Sequence, residues 1–275
     1  MFRIIGIGDN VVDRYLYKNK MYPGGNAVNV PVLAKRSGLA EAAYIGCLGT
    51  DAAGAHVLAA LRSEGLDTSH VRVMEGPNAY ANVTLVDGDR TFLSGDMGGS
   101  VGVSHNIVLN KEDEAFIATY QLIHTSVYSG INDSLPQMKA IGPAISYDYS
   151  DHLNLEEIRD TLPYVDFAIF SGGDGEEEVL RDFIAKVAEL GPKHILMTRG
   201  FKGSMLYRDG VYYHQGIYHI DHVVDTMGAG DSFIARYLAG IYSGEETQQS
   251  MANAAEFAAK NCLVAGTFGY ETDIR

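Results

Sequence analysis

From Lys111 to Thr198 the sequence alternates short apolar runs with longer stretches of helical period, and no other feature constrains the fold as much. Helices are expected at Lys111 to Tyr120, Asp133 to Ile141, Leu155 to Leu162 and Glu176 to Leu190. Strands are expected at Leu122 to Thr125, Ala144 to Tyr149, Phe167 to Phe170 and His194 to Thr198. A strand that is apolar along its whole length must be covered on both faces. The pattern therefore predicts an α/β fold, a mostly parallel central sheet with helices on both sides. With 275 residues and 46% hydrophobic content, residues 1–275 are expected to form one main domain. Ligands should gather beyond the C-terminal ends of the strands.

The stretch from Val223 to Phe233, Val-Val-Asp-Thr-Met-Gly-Ala-Gly-Asp-Ser-Phe, reads as an apolar strand end that passes through small residues into a helix. Gly228, Ala229 and Gly230 let the backbone bend with its N–H groups turned outward. Together with the helix dipole they present roughly half a unit of positive charge, which suits a phosphoryl group. Asp231 lies beside that hole. A loose phosphoryl-transfer transition state needs only a late proton acceptor that aims the hydroxyl, a task Asp231 can fill. Taken by itself, the same Asp is also a common helix cap.

Nearer the start, Ile4-Ile5-Gly6-Ile7-Gly8 reads as a central strand whose polar end, Asp9-Asn10, faces the crevice. Asp9 is therefore a candidate substrate contact. Asp13 follows, and Gly24-Gly25-Asn26-Ala27-Val28-Asn29 opens a helix running to about Gly38. By themselves, Asp13 reads as a solvated turn residue and Asn29 as part of a polar helix face. A strand is expected at Ala43 to Gly46 and a helix at Ala53 to Glu64. From Val71 to Leu93 apolar and polar residues alternate, with Asp87-Gly88 as a hairpin turn.

Asp225-Thr226-Met227-Gly228-Ala229-Gly230-Asp231 resembles the C-terminal signature of the ribokinase-like carbohydrate kinases, the PfkB family. The Asp after the first strand and the Gly-Gly and Asn of the second glycine turn resemble its N-terminal pattern. The resemblance implies a ribokinase-like three-layer fold with a small β lid at about 14–22 and 71–93, shielding the transferred group from water. It implies ATP-dependent phosphorylation of a primary hydroxyl, with Asp231 as base and Gly228 to Gly230 as anion hole. Asp13, Gly24, Gly25 and Asn29 would hold the sugar.

Thr198-Arg199-Gly200-Phe201-Lys202-Gly203 resembles the family's nucleotide turn, placing Thr198, Gly200 and Gly203 near ATP, and Asn253 matches a position beside the adenine. The family usually has Asn-x-x-Glu after the strand ending at Phe170, a pair that organises Mg²⁺ through water. This chain departs from it with Ser171-Gly172-Gly173-Asp174. Ser171 then becomes a nucleotide candidate and Asp174 the acid at the expected spacing, with Glu177 as a second. Mg²⁺ is expected regardless, since it is often held mainly by phosphate and water. Asp225 matches a K⁺ ligand of ribokinase.

Family members that accept sugar phosphates usually carry Lys where this chain has Asn26, so an unphosphorylated or cationic sugar fits better. The strings from Gly8 to Asp13, Pro23 to Val30 and Val223 to Phe233 are most similar to the branch that phosphorylates fructose joined to lysine. Fructose, another ketose or a nucleoside is the alternative substrate, and a sugar-binding regulator without turnover the alternative class. A P-loop, protein-kinase motifs and zinc spacing are all missing from the sequence. A net charge of −14 disfavours nucleic acid and anionic membrane as partners, and no apolar run approaches a bilayer span. Only Cys47 and Cys262 occur, without a signal-peptide layout at the start, which fits a reducing cytoplasm. Exposed lid edges make a homodimer through the lid an expectation.

Overall fold

The computed structural model describes residues 1–86, 89–93, 95, 101 and 107–274. The chain begins with β1 (Phe2–Ile7), β2 (Val11–Tyr15), β3 (Lys20–Gly24), α1 (Asn26–Arg36), β4 (Ala40–Ile45), β5 (Cys47–Gly49) and α2 (Ala52–Ser63). Next come β6 (Arg72–Met74), β7 (Tyr80–Val86), β8 (Asp89–Phe92), α3 (Lys111–Ile117), β9 (Leu122–Ser126), α4 (Leu135–Ile141), β10 (Ala144–Asp148) and α5 (Leu155–Ile158). It ends with β11 (Phe167–Ser171), α6 (Glu177–Ala188), β12 (His194–Thr198), β13 (Ser204–Arg208), β14 (Val211–Gln215), α7 (Ala229–Tyr242), α8 (Thr247–Asn261) and β15 (Thr272–Asp273).

The main sheet has eight strands in the order β14-β13-β12-β11-β10-β9-β1-β4. The six from β12 to β4 run parallel, and β13 and β14 fold back antiparallel at one edge. Because side chains alternate along a strand, neighbours in one apolar run enter opposite cores. Ile4, Leu122, Ile169 and Leu196 pack on one face with residues of α1, α2, α7 and α8. Ile5, Ile123, Phe170 and Met197 pack on the other with residues of α3, α4 and α6. This is the three-layer α/β arrangement that the apolar runs predict.

A second sheet, in the order β15-β3-β2-β7-β8, stands at the crevice end. Its boundaries differ from the expected lid. It starts at Val11 and recruits Thr272–Asp273, whereas Arg72–Met74 pairs in parallel with Cys47–Gly49 and is not part of it. The backbone of Arg72–Met74 is paired with β5, so the local alternation that looked like lid is satisfied elsewhere. The hairpin tip expected at Asp87-Gly88 lies outside the described residues.

Two further differences have local causes. The helix from Leu155 stops at Ile158, and Leu162–Tyr164 forms a 3₁₀ turn instead. Pro163 cannot donate into a continuing α-helix and disfavours the helical conformation in the residue before it. Val223 and Val224 are not a strand end: both side chains are nearly half exposed, and the segment is fixed by the N–H groups of Val224 and Asp225 donating to the Cys262 carbonyl.

α1 lies close against β1 at Gly6. A Cβ at Gly6 would lie 1.9 Å from the Ala27 carbonyl oxygen and 2.7 Å from Pro31 Cγ. Gly6→Ala should therefore push α1 off the sheet and destabilise the protein by about 1–3 kcal/mol, read as a lower urea midpoint at unchanged slope.

Candidate active site

Several candidate residues sit at the C-terminal ends of the parallel strands. Asp9 follows β1, Ser126 and Asp148 end β9 and β10, and Ser171 and Thr198 end β11 and β12. Because these strands run parallel and in register, their polar C-terminal residues share one rim.

At the centre is Asp231 in the first turn of α7. Its Oδ1 accepts from Asn26 Nδ2 at 2.9 Å and its Oδ2 from Asn29 Nδ2 at 2.7 Å. Both amides come from the first turn of α1, so the N-termini of two helices distant in sequence meet at one carboxylate. Burial raises the Asp231 pKa to about 6, and the Asn29 and Asn26 amides, which favour the ionised form, hold it back. Asp9 adds a smaller upward push. Asp231 nevertheless lines a cavity of about 320 Å³ together with Phe92, Thr226, Met227, Gly228, Ala229 and Gly230.

The wall beside it is the turn that opens α7. Gly228 is the N-cap, with φ 71°, a left-handed conformation that favours glycine, and it supplies no capping side chain. Ala229 N–H donates to the Thr226 carbonyl and Ser232 N–H to the Gly228 carbonyl. Among the described residues, the N–H groups of Gly230 and Asp231 take no backbone acceptor. A Cβ at Gly230 would meet nothing within 4 Å, so a ligand can approach that backbone closely.

The expected substrate residues come together. Asp13, on β2, is buried, and a Cβ at Gly24 would lie 2.3 Å from its Oδ2, so only glycine lets that carboxylate lie against β3. Asp9 has a more internal position: its Oδ1 accepts from the Ser126 and Ser129 hydroxyls, and its Oδ2 from the Asn26 N–H at 2.8 Å, pinning the start of α1. Gly25 precedes that helix, and Asn29 reaches Asp231.

The nucleotide candidates form a second group. Ser171 pairs with Thr198 across the sheet, and Gly172 N–H donates to the Thr198 carbonyl. The loop holding Gly200 and Gly203 is tied to the loop after β11 by Arg199 and Lys202, which donate to the Gly175 and Asp174 carbonyls. Asp174 projects its carboxylate into solvent, 3.3 Å from Lys202 Nζ. Asn253, on α8, accepts from Gln249 Nε2 at 2.9 Å and hydrogen-bonds Glu245.

Asp225 is buried, and its carboxylate accepts from Tyr15 O–H, Met227 N–H and Gly266 N–H at 2.7–2.9 Å. The Tyr15 contact ties the second sheet to the turn before α7.

Three residues escaped the sequence reading as site members. Asp148 Oδ2 accepts from Asn26 Nδ2 at 2.8 Å, so Asn26 bridges it to Asp231. Burial is the main force raising Asp148 to about 7; the Ser150 N–H opposes it, and the Asp231 charge adds to it. His124, fully buried on β9, contacts Asn26 Oδ1 through Nε2 at 2.8 Å. Asn26 was legible only as the absence of a cation. An Asp at a strand's C-terminal end was the one available signal for Asp148; nothing local marks His124.

The sequence matches the model of the pfkB family carbohydrate kinases over residues 6–272. It is 41% identical to the fructosamine kinase FrlD of Bacillus subtilis (strain 168), over 98% of this chain and 93% of that protein. It is 35% identical to the fructoselysine 6-kinase of Escherichia coli (strain K12), over 95% of this chain and 98% of that one. In fold it is similar to a putative ribokinase II of E. coli solved with ATP and Mg²⁺, with a TM-score of 0.79 at 22% identity, covering 98% and 95% of the two chains. The three-layer sheet, the glycine turn opening α7 and the near full-length match agree: this chain belongs to the pfkB family of carbohydrate kinases.

Proposed function

We propose that this carbohydrate kinase transfers the γ-phosphoryl group of ATP to a primary hydroxyl of a ketose-amine, with fructoselysine as the best-supported substrate. The kinase chemistry is carried by one observation, the cavity-lining Asp231 carboxylate beside open first-turn N–H groups. The substrate class is supported by the two relatives named for fructosamine and fructoselysine. An uncharged amide at position 26, between Asp148 and Asp231, also favours an ammonium over a phosphate in the pocket.

Asp13 and Asn29 orient the sugar, and Asp231 aims the acceptor hydroxyl and takes its proton as the oxygen attacks phosphorus. The bond from phosphorus to the ADP oxygen breaks, and the N–H groups of Gly230 and Asp231 hold the charge of the moving phosphoryl group. Thr198, Gly200, Gly203 and Ser171 approach the nucleotide, and Asn253 lies toward its base. The described residues form no group of three His, Cys, Asp or Glu able to hold a metal. A bound Mg²⁺ would take most of its ligands from phosphate and water, exposed Asp174 would be its outer partner, and it would supply positive charge to offset that of the nucleotide phosphates. Among the described residues no helix is long and apolar enough to cross a membrane. The cytoplasm is the proposed location, and pairing of two copies through the second sheet the proposed assembly.

A coupled ATPase assay over fructoselysine, fructose, ribose and adenosine tests the substrate, with fructoselysine expected to give the highest kcat/KM. Asp231→Ala should lower kcat by about 10²–10⁴-fold while leaving the thermal midpoint within a few degrees. In Gly230→Ala the new methyl enters open space in a helical turn. Stability should hold or rise while kcat falls at least about 100-fold, and a variant that is stable and fully active refutes the anion hole.

The pH dependence has two signs. Asp231 is raised to about 6, so the base is lost and kcat/KM falls about tenfold per pH unit as pH drops below that value. The folded protein binds this proton more tightly than the unfolded chain does. Its stabilising contribution is therefore full below the ordinary carboxylate range and disappears as pH rises through about 6. Activity and this part of the stability should move in opposite directions across that window, as parallel kinetic and melting series would show.

A further inference from the structure

Behind the catalytic carboxylate lies a polar chain that the reaction does not explain. His124 sits in the middle of β9, with no exposed surface, between Ser146 on β10 and Asn26 at the start of α1. Burial lowers its pKa to about 3, so the imidazole is neutral under working conditions. A neutral imidazole has one N–H and one acceptor nitrogen. Asn26 Oδ1 can only accept, so the proton must be on Nε2, and Nδ1 then accepts from the Ser146 hydroxyl at 3.0 Å.

The far side of the Asn26 amide imposes a matching demand. Its Nδ2 lies 2.8 Å from Asp148 Oδ2 and 2.9 Å from Asp231 Oδ1, two acceptors for two N–H bonds. If the amide were turned over, its oxygen would face both carboxylates and its nitrogen would face the His124 N–H. The imidazole can answer by carrying its proton on Nδ1 and donating to Ser146, but the amide oxygen would still be set against two ionised carboxylates, acceptor to acceptor. The directions therefore run one way, from Ser146 through His124 and Asn26 to Asp148 and Asp231.

We propose that His124 is a positioning residue: its Nε2–H locks the Asn26 amide in the one orientation that clamps Asp231 for catalysis. Resting on the kinase reading above, the proposal adds the device that holds the base still. Without the lock the Asn26 amide can rotate and Asp231 keeps only the Asn29 donor. The carboxylate is then free to swing away from the acceptor hydroxyl, and misplacement on the ångström scale is costly in rate. The charged and titratable groups facing Asp231 are Asp148 from β10 and Asp9 from the loop after β1, with the neutral Asn26 and Asn29 from α1.

His124→Phe fills the same slot without a donor. It should lower kcat about 10- to 100-fold, leave the KM for ATP unchanged and retain most of the thermal stability. Loss of the Asn26 donation removes support for the ionised carboxylates, so the acidic limb of kcat/KM should move upward by about one pH unit. In an Asn26→Ala background the same substitution should add nothing, because His124 acts only through Asn26. An unmoved acidic limb, or effects of His124 and Asn26 that simply add, overturns the proposal. The proton position is also readable in the unsubstituted protein by ¹H–¹⁵N correlation of the imidazole. A single neutral Nε2–H form from about pH 5 to 8 is expected, and an Nδ1–H form or a titration in that range overturns the proposal even if His124→Phe fails to fold. Loss of activity in Asp231→Ala with unchanged His124→Phe kinetics sinks only this inference, whereas a fully active Asp231→Ala sinks the kinase reading itself.

Discussion

Everything at the crevice depends on one carboxylate held between two amides. Asp231 is the first acid of α7, and the amides clamping it belong to the first turn of α1, some 200 positions earlier in the chain, with sequence separations of 205 and 202. Burial alone would push such a group toward its neutral form, and nearby Asp9 pushes the same way. The two amides favour the ionised form, and the balance leaves the group chargeable near neutrality. A fully exposed Asp would be a weaker base, and a fully buried one without donors would stay protonated. Packing of α1 and α7 against the same face of the sheet sets this balance, so the fold determines the chemistry through the distance between two helix starts.

The second sheet is joined to the same machinery. Tyr15, Tyr22 and Val83 form its small core, against which Met227 and Ala265 pack. Tyr15 also donates to Asp225, whose carboxylate accepts the Met227 N–H just before the anion hole. Phe92, from β8, lines the cavity opposite that turn. On the proposed reading, a cover anchored to the bend before α7 would exclude water where a phosphoryl group would otherwise be lost to hydrolysis. Order in the second sheet and order in the turn before α7 are thus mechanically linked.

Much of this was legible because it is local. The apolar runs from Leu122 to Thr198 predict strands buried on both faces, and the two cores confirm them residue by residue. The Gly-Ala-Gly-Asp turn announces open N–H groups before any coordinates, since small residues and a helix start suffice to produce them. What escaped is non-local. Val223 and Val224 have the composition of a strand, yet their backbone is fixed by the Cys262 carbonyl rather than by a neighbouring strand. Asp148 and His124 acquire their importance from Asn26, which lies 122 and 98 positions away. Asn26 itself looked like a missing cation, whereas in the fold its amide bridges two acids. Asp9 read as a ligand, and the fold gives it the N–H of Asn26 and two serine hydroxyls.

The most direct test of the account is a crystal structure with fructoselysine and a non-hydrolysable ATP analogue bound together. The account predicts the acceptor hydroxyl within hydrogen-bonding reach, about 3 Å, of an Asp231 carboxylate oxygen, and the γ-phosphate against the Gly230 and Asp231 N–H groups. A γ-phosphate seated away from that turn, or an Asp231 side chain that never approaches the acceptor hydroxyl, would contradict it.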